Sequence, residues 1–224
     1  FFKQKTAYEI STRDWSSDVC SSDLWPSALD DCLTRVPLIV RAPGDMFARG
    51  HAVAEPVELF DVMTTALDLA GIVPTHAHFA RSLVPQLSGA PGDPDRAAFS
   101  EGGYDPHEPH AFEGRPESGG LFRDPSHIYY PKGRLQQDHP LSVCRATSIR
   151  TMTHRLVRRP LGVSELYDLV VDPLELHNVY GDFQYATVRG DLEQRLLDWY
   201  IHTADVVPFL EHPRSLPRFD GPFS

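Results

Sequence analysis

The spacing of apolar and polar positions predicts a chain of mixed α and β structure. Residues 36–40 are apolar and mostly β-branched, apart from Pro37, as in a strand covered on both faces of an α/β sheet. Residues 58–70 place apolar side chains at i, i+3 and i+4 intervals, which is typical of an amphipathic helix. Gly71 and Pro74 supply its C-terminal stop. The two patterns together predict a strand that is followed by a helix.

Shorter patterns further along predict a small sheet and a C-terminal helix. Strand-type segments occupy residues 97–101, 143–151, 154–158 and 165–169. A helix is predicted over residues 184–201, with Asp182 as its cap and an apolar stripe of Val188, Leu192, Leu196 and Trp199. Residues 102–138 form a long segment rich in Gly, Pro and His, which we expect to be a functional or mobile loop.

The first 24 residues follow neither a helical nor a strand period. The segment resembles a translated sequencing adapter, a peptide that recurs at the ends of reading frames assembled from metagenomes. A basic start without an apolar core does not fit a secretory signal peptide. We therefore expect residues 1–24 to be non-native, with a genuine disordered arm as the alternative, and the native sequence to begin near Trp25 as a C-terminal fragment.

Composition and charge narrow the function classes. The formal net charge of −10 argues against a nucleic-acid-binding module, which needs a basic face, and no apolar run is long enough for a membrane span. Basic residues do concentrate between Arg145 and Arg159, and we expect them on the solvent-exposed side of a hairpin. The adjacent Asp30 and Asp31 are likewise expected to face solvent rather than to bind a cation.

Four segments in the same order resemble the C-terminal half of sulfatases. They are Arg35-Val-Pro-Leu-Ile-Val-Arg-Ala-Pro-Gly44, the helix with Asp61, Thr65 and Asp68, the turn from Arg81 to Gly89, and Glu165-Leu-Tyr-Asp-Leu followed by Asp172-Pro173, Glu175 and Asn178. The resemblance runs from Arg35 to Ile201. It implies the C-terminal part of an alkaline-phosphatase-like α/β sandwich. Residues 25–95 would end the catalytic domain, 96–207 would form an antiparallel-sheet subdomain with a helix, and 208–224 an irregular tail.

The resemblance implies hydrolysis of an aryl or carbohydrate sulfate to an alcohol and inorganic sulfate. Such enzymes use a formylglycine made from a cysteine, and a divalent cation, usually calcium, that polarises the sulfate oxygens. Cys20, Cys32 and Cys144 all lack the sequence context of that modification, and the metal-binding segment and the substrate lysine have no match. We therefore assign no catalytic and no metal-binding residue here, and expect calcium and formylglycine only in the full-length parent.

The long loop carries the candidates for substrate contact. Prolines at 106 and 109 exclude the helix that a His-Glu-x-x-His zinc site requires. We predict that the loop lies at the rim of the substrate pocket, with five candidate residues: His107, His110, Tyr129, Lys132 and Arg134. The expected partner of the parent is a small sulfated substrate, with no nucleic acid and no membrane. The oligomeric state and the compartment, bacterial cytoplasm or periplasm, stay open.

Two other functions remain possible at this point. A phosphonate monoester or phosphodiester hydrolase of the same superfamily would have a similar C-terminal half. The sequence around the nucleophile and the metal-binding segment would distinguish it from a sulfatase. A non-catalytic binding or structural domain is the third possibility, and it would have to fold and bind its ligand by itself.

Residues 25–224 produced alone are predicted to be inactive and to be poorly soluble or partly unfolded. The reason is that a strand apolar on both faces, such as residues 36–40, needs neighbouring strands that this chain does not supply. Solubility and turnover of a chromogenic aryl sulfate are the measurements. Detectable turnover by the purified chain would show that the prediction is wrong.

Overall fold

The computed structural model describes residue 29, residues 31–107, residues 124–126, residues 130, 134 and 136, and residues 138–206. The chain divides into two compact units. One comprises residues 1–39 and 94–194, and the other residues 40–93 and 195–224. The domain limits predicted from the sequence stay predictions, and the tail at 208–224 lies outside the described residues.

The α-helices of the described residues are α1 (Asp31–Thr34), α2 (Asp61–Leu69), α3 (Val84–Leu87) and α4 (Ala186–Thr203). Two 3-10 turns cover Pro140–Val143 and Phe183–Tyr185. Asp182 caps the second turn, because its side chain accepts a hydrogen bond of 2.9 Å from the backbone N–H of Gln184. Leu192 and Leu196 of the predicted apolar stripe are buried in α4. The C-terminal helix is thus confirmed, and Asp182 caps the 3-10 turn that leads into it instead of the helix itself.

A four-stranded antiparallel sheet forms the centre of the first unit. Its strands are β1 (Ala98–Gly102), β2 (Ala146–Arg150), β3 (His154–Arg158) and β4 (Glu165–Asp168), in the spatial order β1-β2-β3-β4. Ile149 lies opposite Leu156, and Leu156 lies opposite Leu166, so the inward positions meet across three strands. All three are fully buried. The four predicted strands are therefore present, with ends that differ by up to three residues.

Helix α2, in the second unit, buries its polar face instead of its apolar one. Leu59 beside the helix and Val62, Met63 and Leu69 within it are between 42% and 69% exposed, whereas Asp61 and Thr65 are buried. An amphipathic helix normally turns its apolar stripe towards the core. The helix predicted from the spacing is confirmed, but here the spacing does not identify the buried face.

Backbone groups of residues 81–83 explain this orientation. The Asp61 carboxylate accepts hydrogen bonds of 2.8 Å from the backbone N–H groups of Glu58 and Arg81. The Thr65 hydroxyl accepts one of 2.9 Å from the N–H of Leu83, and the Asp68 carboxylate accepts one of 2.5 Å from the Ser82 hydroxyl. Positions 61, 65 and 68 lie on one side of a helix. The three side chains therefore attach the following segment to α2.

Residues 36–40 are not a strand in this structure, which contradicts the sequence prediction. Their backbone has no strand assignment, and Val36, Leu38, Ile39 and Val40 are between 40% and 89% exposed. A strand is stabilised by hydrogen bonds to a neighbour, and the sheet in the described part of the chain contains only β1 to β4. The apolar pattern is therefore present without the partner strand that it requires.

Gly103 makes a close backbone approach at the end of β1. Its φ of +87° lies in the left-handed region, and a Cβ atom there would come within 2.6 Å of the Cys144 carbonyl carbon and 2.8 Å of the Arg145 Cα. The next residue, Tyr104, donates a hydrogen bond of 2.8 Å from its N–H to the Val143 carbonyl. Only glycine fits this conformation and this spacing without strain.

Gly103→Ala is predicted to lower the free energy of unfolding by about 2 kcal/mol or more, because a left-handed alanine is strained and the new methyl group meets backbone atoms. Urea unfolding followed by circular dichroism measures the change. Gly181→Ala is the matched control, since a Cβ atom added at that position would meet nothing within 4 Å. Equal stability of the two variants would contradict the close approach.

Candidate functional site

The two predicted pocket-rim residues that the structure describes each pair with a neighbour in sequence. The His107 ring nitrogen Nδ1 lies 2.8 Å from the Asp105 carboxylate, and Arg134 donates to Asp138 at 3.0 Å. The hydrogen bond from the His107 N–H lowers the pKa of Asp105 most, and the hydrogen bond with the His107 ring lowers it further. Both side chains are largely exposed. His110, Tyr129 and Lys132 lie outside the described residues, so the pocket-rim assignment stays a prediction.

Cys144 does not fit the position of a formylglycine precursor. Its side chain is buried and the thiol donates a hydrogen bond of 2.8 Å to the Leu161 carbonyl. Burial raises the pKa of this thiol, against the opposing charge of Arg159. A thiol kept protonated in this way is a poor nucleophile. Within the described ranges no three His, Cys, Asp or Glu side chains cluster in a way that could hold a metal ion, so no reaction step is derived through calcium or formylglycine.

The arginines between Arg150 and Arg159 are paired with acids, and the expectation that they face solvent is wrong for most of them. The side chains of Arg155, Arg159 and Arg150 are only 1%, 13% and 18% exposed, and that of Arg158 is 43% exposed. Their partners are Glu175, Glu165, Asp31 and Glu193, respectively. Because each guanidinium has a carboxylate partner, this cluster is not arranged as an anion-binding site.

The pair of Arg155 and Glu175 lies deepest. The Arg155 Nε donates to the Glu175 carboxylate, the Nη1 donates to the Leu29 carbonyl at 2.7 Å, and the guanidinium lies 4.9 Å from the centre of the Tyr167 ring. Burial raises the pKa of Glu175, and the charge of Arg155 opposes that shift. A buried charge without its partner costs several kcal/mol, on the order of 3–5 kcal/mol. Neither residue can therefore be removed alone without a large loss of stability.

The turn after β4 brings Glu175 to this place. Glu175 has a φ of +57°, a left-handed conformation that is unusual for a residue with a side chain. Asp172 accepts a hydrogen bond of 2.8 Å from the His177 N–H. Asn178 accepts from the N–H groups of Leu166 and Tyr180, and donates to the Ser164 carbonyl. The polar residues of this motif thus fix a turn and attach it to β4.

Tyr180 connects the sheet to the first half of α4. Two guanidinium groups lie near its ring, that of Arg158 at 5.6 Å and that of Arg189 at 4.9 Å from its centre. Its hydroxyl accepts from Arg158 at 2.6 Å and donates to Glu193 at 2.9 Å. Burial and the Glu193 carboxylate raise the pKa of Tyr180. Stacking and hydrogen bonding together make this a structural contact.

His154, Asp168 and Tyr185 form a group of three residues of types that are common in acid–base chemistry. The Tyr185 hydroxyl donates to Asp168 at 3.2 Å, and the His154 Nε2 lies 3.9 Å from the same carboxylate. Although burial opposes it, hydrogen bonds from the N–H groups of Val170 and Val171 hold the pKa of Asp168 below its ordinary value. In the fold, Asp168 closes the β3–β4 hairpin and fixes the turn that follows.

Sequence reasoning missed the roles of Glu175, Asp31 and Tyr180. Asp31 was expected to face solvent, but its side chain is 17% exposed and accepts a hydrogen bond of 2.7 Å from Arg150. Its partner lies 119 residues away in sequence, so no local pattern signals the contact. Asp30 is outside the described residues.

Comparison with known proteins finds homologues of this chain. No protein-family model matches the sequence. The multifunctional alkaline phosphatase superfamily protein PehA of Trinickia caryophylli is 28% identical over 185 residues, which is 82% of this chain and 32% of PehA. The uncharacterized sulfatase YidJ of Escherichia coli is 26% identical over 208 residues, 88% of this chain and 33% of YidJ. The chain is homologous to proteins of the alkaline-phosphatase-like superfamily.

A solved structure supports the same superfamily. Phosphonate monoester hydrolase SpPMH from Silicibacter pomeroyi matches with a TM-score of 0.53 and 27% identity, over 74% of this chain and 28% of that enzyme. The chain spans about a third of the length of the curated relatives it matches. The predicted fold class, mixed α/β with a small antiparallel sheet and a C-terminal helix, is therefore confirmed. The described helices include none that is long and apolar enough to cross a membrane.

Asp168→Asn is predicted to lower the free energy of unfolding at pH 7 by about 1 kcal/mol, because it weakens charge-assisted hydrogen bonds. The folded-state pKa of Asp168 is lowered, so its contribution is present above the unfolded pKa of about 4 and is lost as the pH falls further. The difference between wild type and variant should therefore shrink between about pH 4 and pH 2 in urea titrations.

Asp45→Asn provides the control for that titration, since Asp45 pairs with Arg49 while both are largely exposed. Exposed ion pairs contribute little to stability, so this variant should follow the wild type at each pH. A wild-type advantage over Asp168→Asn that persists unchanged at about pH 2 would contradict the lowered pKa.

Proposed function

We propose that the protein to which this chain belongs hydrolyses sulfate or phosphonate esters, and that this chain forms its supporting sheet subdomain. The observation that carries the proposal is the match to PehA over 82% of the chain. The pairing of Arg150, Arg155 and Arg159 with acids supports the second part, because these side chains are used within the fold. The chain is proposed to position the catalytic part, which lies in other residues.

The first candidate reaction is hydrolysis of an aryl or carbohydrate sulfate to an alcohol and inorganic sulfate. It is supported by the four sulfatase-like segments between Arg35 and Ile201 and by the match to YidJ, which is described as a sulfatase. Calcium and formylglycine would belong to the catalytic part of such an enzyme. When bound there, the cation would polarise the ester oxygens.

The second candidate is hydrolysis of a phosphonate monoester or phosphodiester. It is favoured by the match to SpPMH at a TM-score of 0.53 and by the match to PehA, described as multifunctional. Sulfate and phosphonate esters share an anionic tetrahedral centre, so one arrangement of cationic groups is able to stabilise both transition states. The esters are all monoanions at neutral pH, so the two reactions differ in the reacting atom and in its substituents.

A purely structural or ligand-binding domain is the alternative from another class. It predicts that the chain, produced alone, folds and binds carbohydrate. The exposed apolar residues of α2 and of segment 36–40 argue against independent folding, because they leave apolar surface in water.

The test is to recover the genomic sequence upstream of Trp25 and to assay the resulting protein with an aryl sulfate and with an aryl phosphonate monoester. We expect turnover of at least one of the two, with a preference of about tenfold or more between them, which corresponds to about 1.4 kcal/mol in the transition state. A Cys-to-Ala variant at a modification motif in the recovered sequence is the control. Absence of turnover of both esters by a folded, metal-loaded protein would overturn the proposal.

A further inference from the structure

Leu29 and Asp31 are held against the sheet by four separate contacts. The Leu29 carbonyl accepts from Arg155 at 2.7 Å, and the Asp31 N–H donates to Glu175 at 3.2 Å. The Asp31 carboxylate accepts from Arg150 at 2.7 Å. The Leu29 side chain is only 5% exposed and forms one apolar cluster with Ala146 and Val157. These contacts come from β2, β3 and the turn after β4.

Two of the four contacts are hydrogen bonds to backbone groups and do not depend on the side chains of the segment. The Leu29 carbonyl precedes α1, and the Asp31 N–H belongs to the first residue of that helix, one of the donors that a helix leaves without an intrahelical partner. Here Arg155 supplies the donor to the carbonyl and Glu175 the acceptor for the N–H, so one ion pair of side chains satisfies both backbone groups. Main-chain bonds give affinity for a bound peptide, and side-chain pockets give its specificity.

The other two contacts select side chains. The pocket beside Ala146 and Val157 takes an apolar side chain at position 29, and Arg150 takes a carboxylate at position 31. Position 30 lies outside the described residues, so no residue type is specified there. The arrangement therefore specifies an apolar residue, any residue and an acid, in that order.

We propose that β2, β3 and the Asp172–Asn178 turn form a peptide-binding site for the sequence Leu-x-Asp, occupied in this chain by its own residues 29–31. Within the site Arg155 and Glu175 neutralise each other, and the Asp31 carboxylate of the peptide neutralises Arg150. These hydrogen bonds and apolar contacts are non-covalent, so they should hold the peptide even when it is no longer part of the same chain. The site is independent of the reaction proposed above, and a peptide with the same signature should compete for it.

The test uses the full chain with a recognition sequence for a site-specific protease inserted after Gly44, an exposed turn position. Cleavage removes the covalent link between the Leu-x-Asp segment and the rest of the chain. We expect the cleaved segment to co-elute with the sheet subdomain in size-exclusion chromatography. Separation of the two wild-type pieces under native conditions would overturn the proposal.

Substitutions test whether retention of the cleaved segment depends on the contacts named above. Glu175→Ala removes the acceptor for the Asp31 N–H, Arg150→Met removes the carboxylate partner, and Leu29→Asp places a charge in the apolar pocket. Each should speed dissociation of the segment by about tenfold or more. Arg159→Met is the matched control, because Arg159 pairs with Glu165 on the same sheet and not with residues 29–31. Retention of the segment in all of these variants would also contradict the proposal.

A second measurement covers variants that fail to fold. A fluorescent peptide of residues 26–36, with Cys32→Ser, is titrated into the cleaved wild-type protein and followed by polarisation. It should displace the native segment, whereas the same peptide carrying Leu29→Asp or Asp31→Asn should bind about tenfold more weakly or worse. Equal binding of all three peptides would mean that the site reads neither side chain, and the proposal would be wrong.

Discussion

The buried ion pair of Arg155 and Glu175 is the constraint on which the first unit depends. An arginine in the middle of β3 that is 1% exposed requires a carboxylate partner, because an unpaired guanidinium in this environment would be strongly destabilising. The sheet does not provide that carboxylate. The turn after β4 does, and it adopts a left-handed conformation at Glu175 to do so. One electrostatic requirement thus determines the shape of the turn and the docking of residues 29–31.

The polar residues of the sulfatase-like motifs fix backbone geometry. Asp172, Glu175 and Asn178 hold the turn, and Asp61 and Thr65 hold the segment that follows α2. In each case a side-chain oxygen accepts a hydrogen bond from a backbone N–H group that has no partner within a helix or strand. The motifs therefore fix backbone geometry, and the homology that they indicate carries no information about the reacting groups.

Elements with a strong period were predictable from the sequence, and long-range pairings were not. The strands β1 to β4, α2 and α4 all follow from alternation or helical spacing, because these patterns are local. Asp31 pairs with Arg150 across 119 residues, and Leu29 contacts Arg155 across 126, so neither pairing leaves a trace in a sequence window. The prediction of a strand over residues 36–40 was wrong for a related reason. Strand character there depends on a neighbour, and no described strand pairs with these residues.

Under the proposed function, recognition of the ester would depend on local contacts, because the chain has no net positive charge to attract an anion. The chain carries a formal charge of −10, while its most basic region, β2 and β3, is neutralised by Asp31, Glu165, Glu175 and Glu193. A sulfate or phosphonate ester therefore gains no long-range attraction from this sheet. Exposed charges are screened beyond about 8–10 Å at physiological salt, so only cations in direct contact with the anionic centre are able to bind it. Arg150, Arg155, Arg158 and Arg159 are paired within the fold, so under the proposed function other residues would supply the cations that contact the ester.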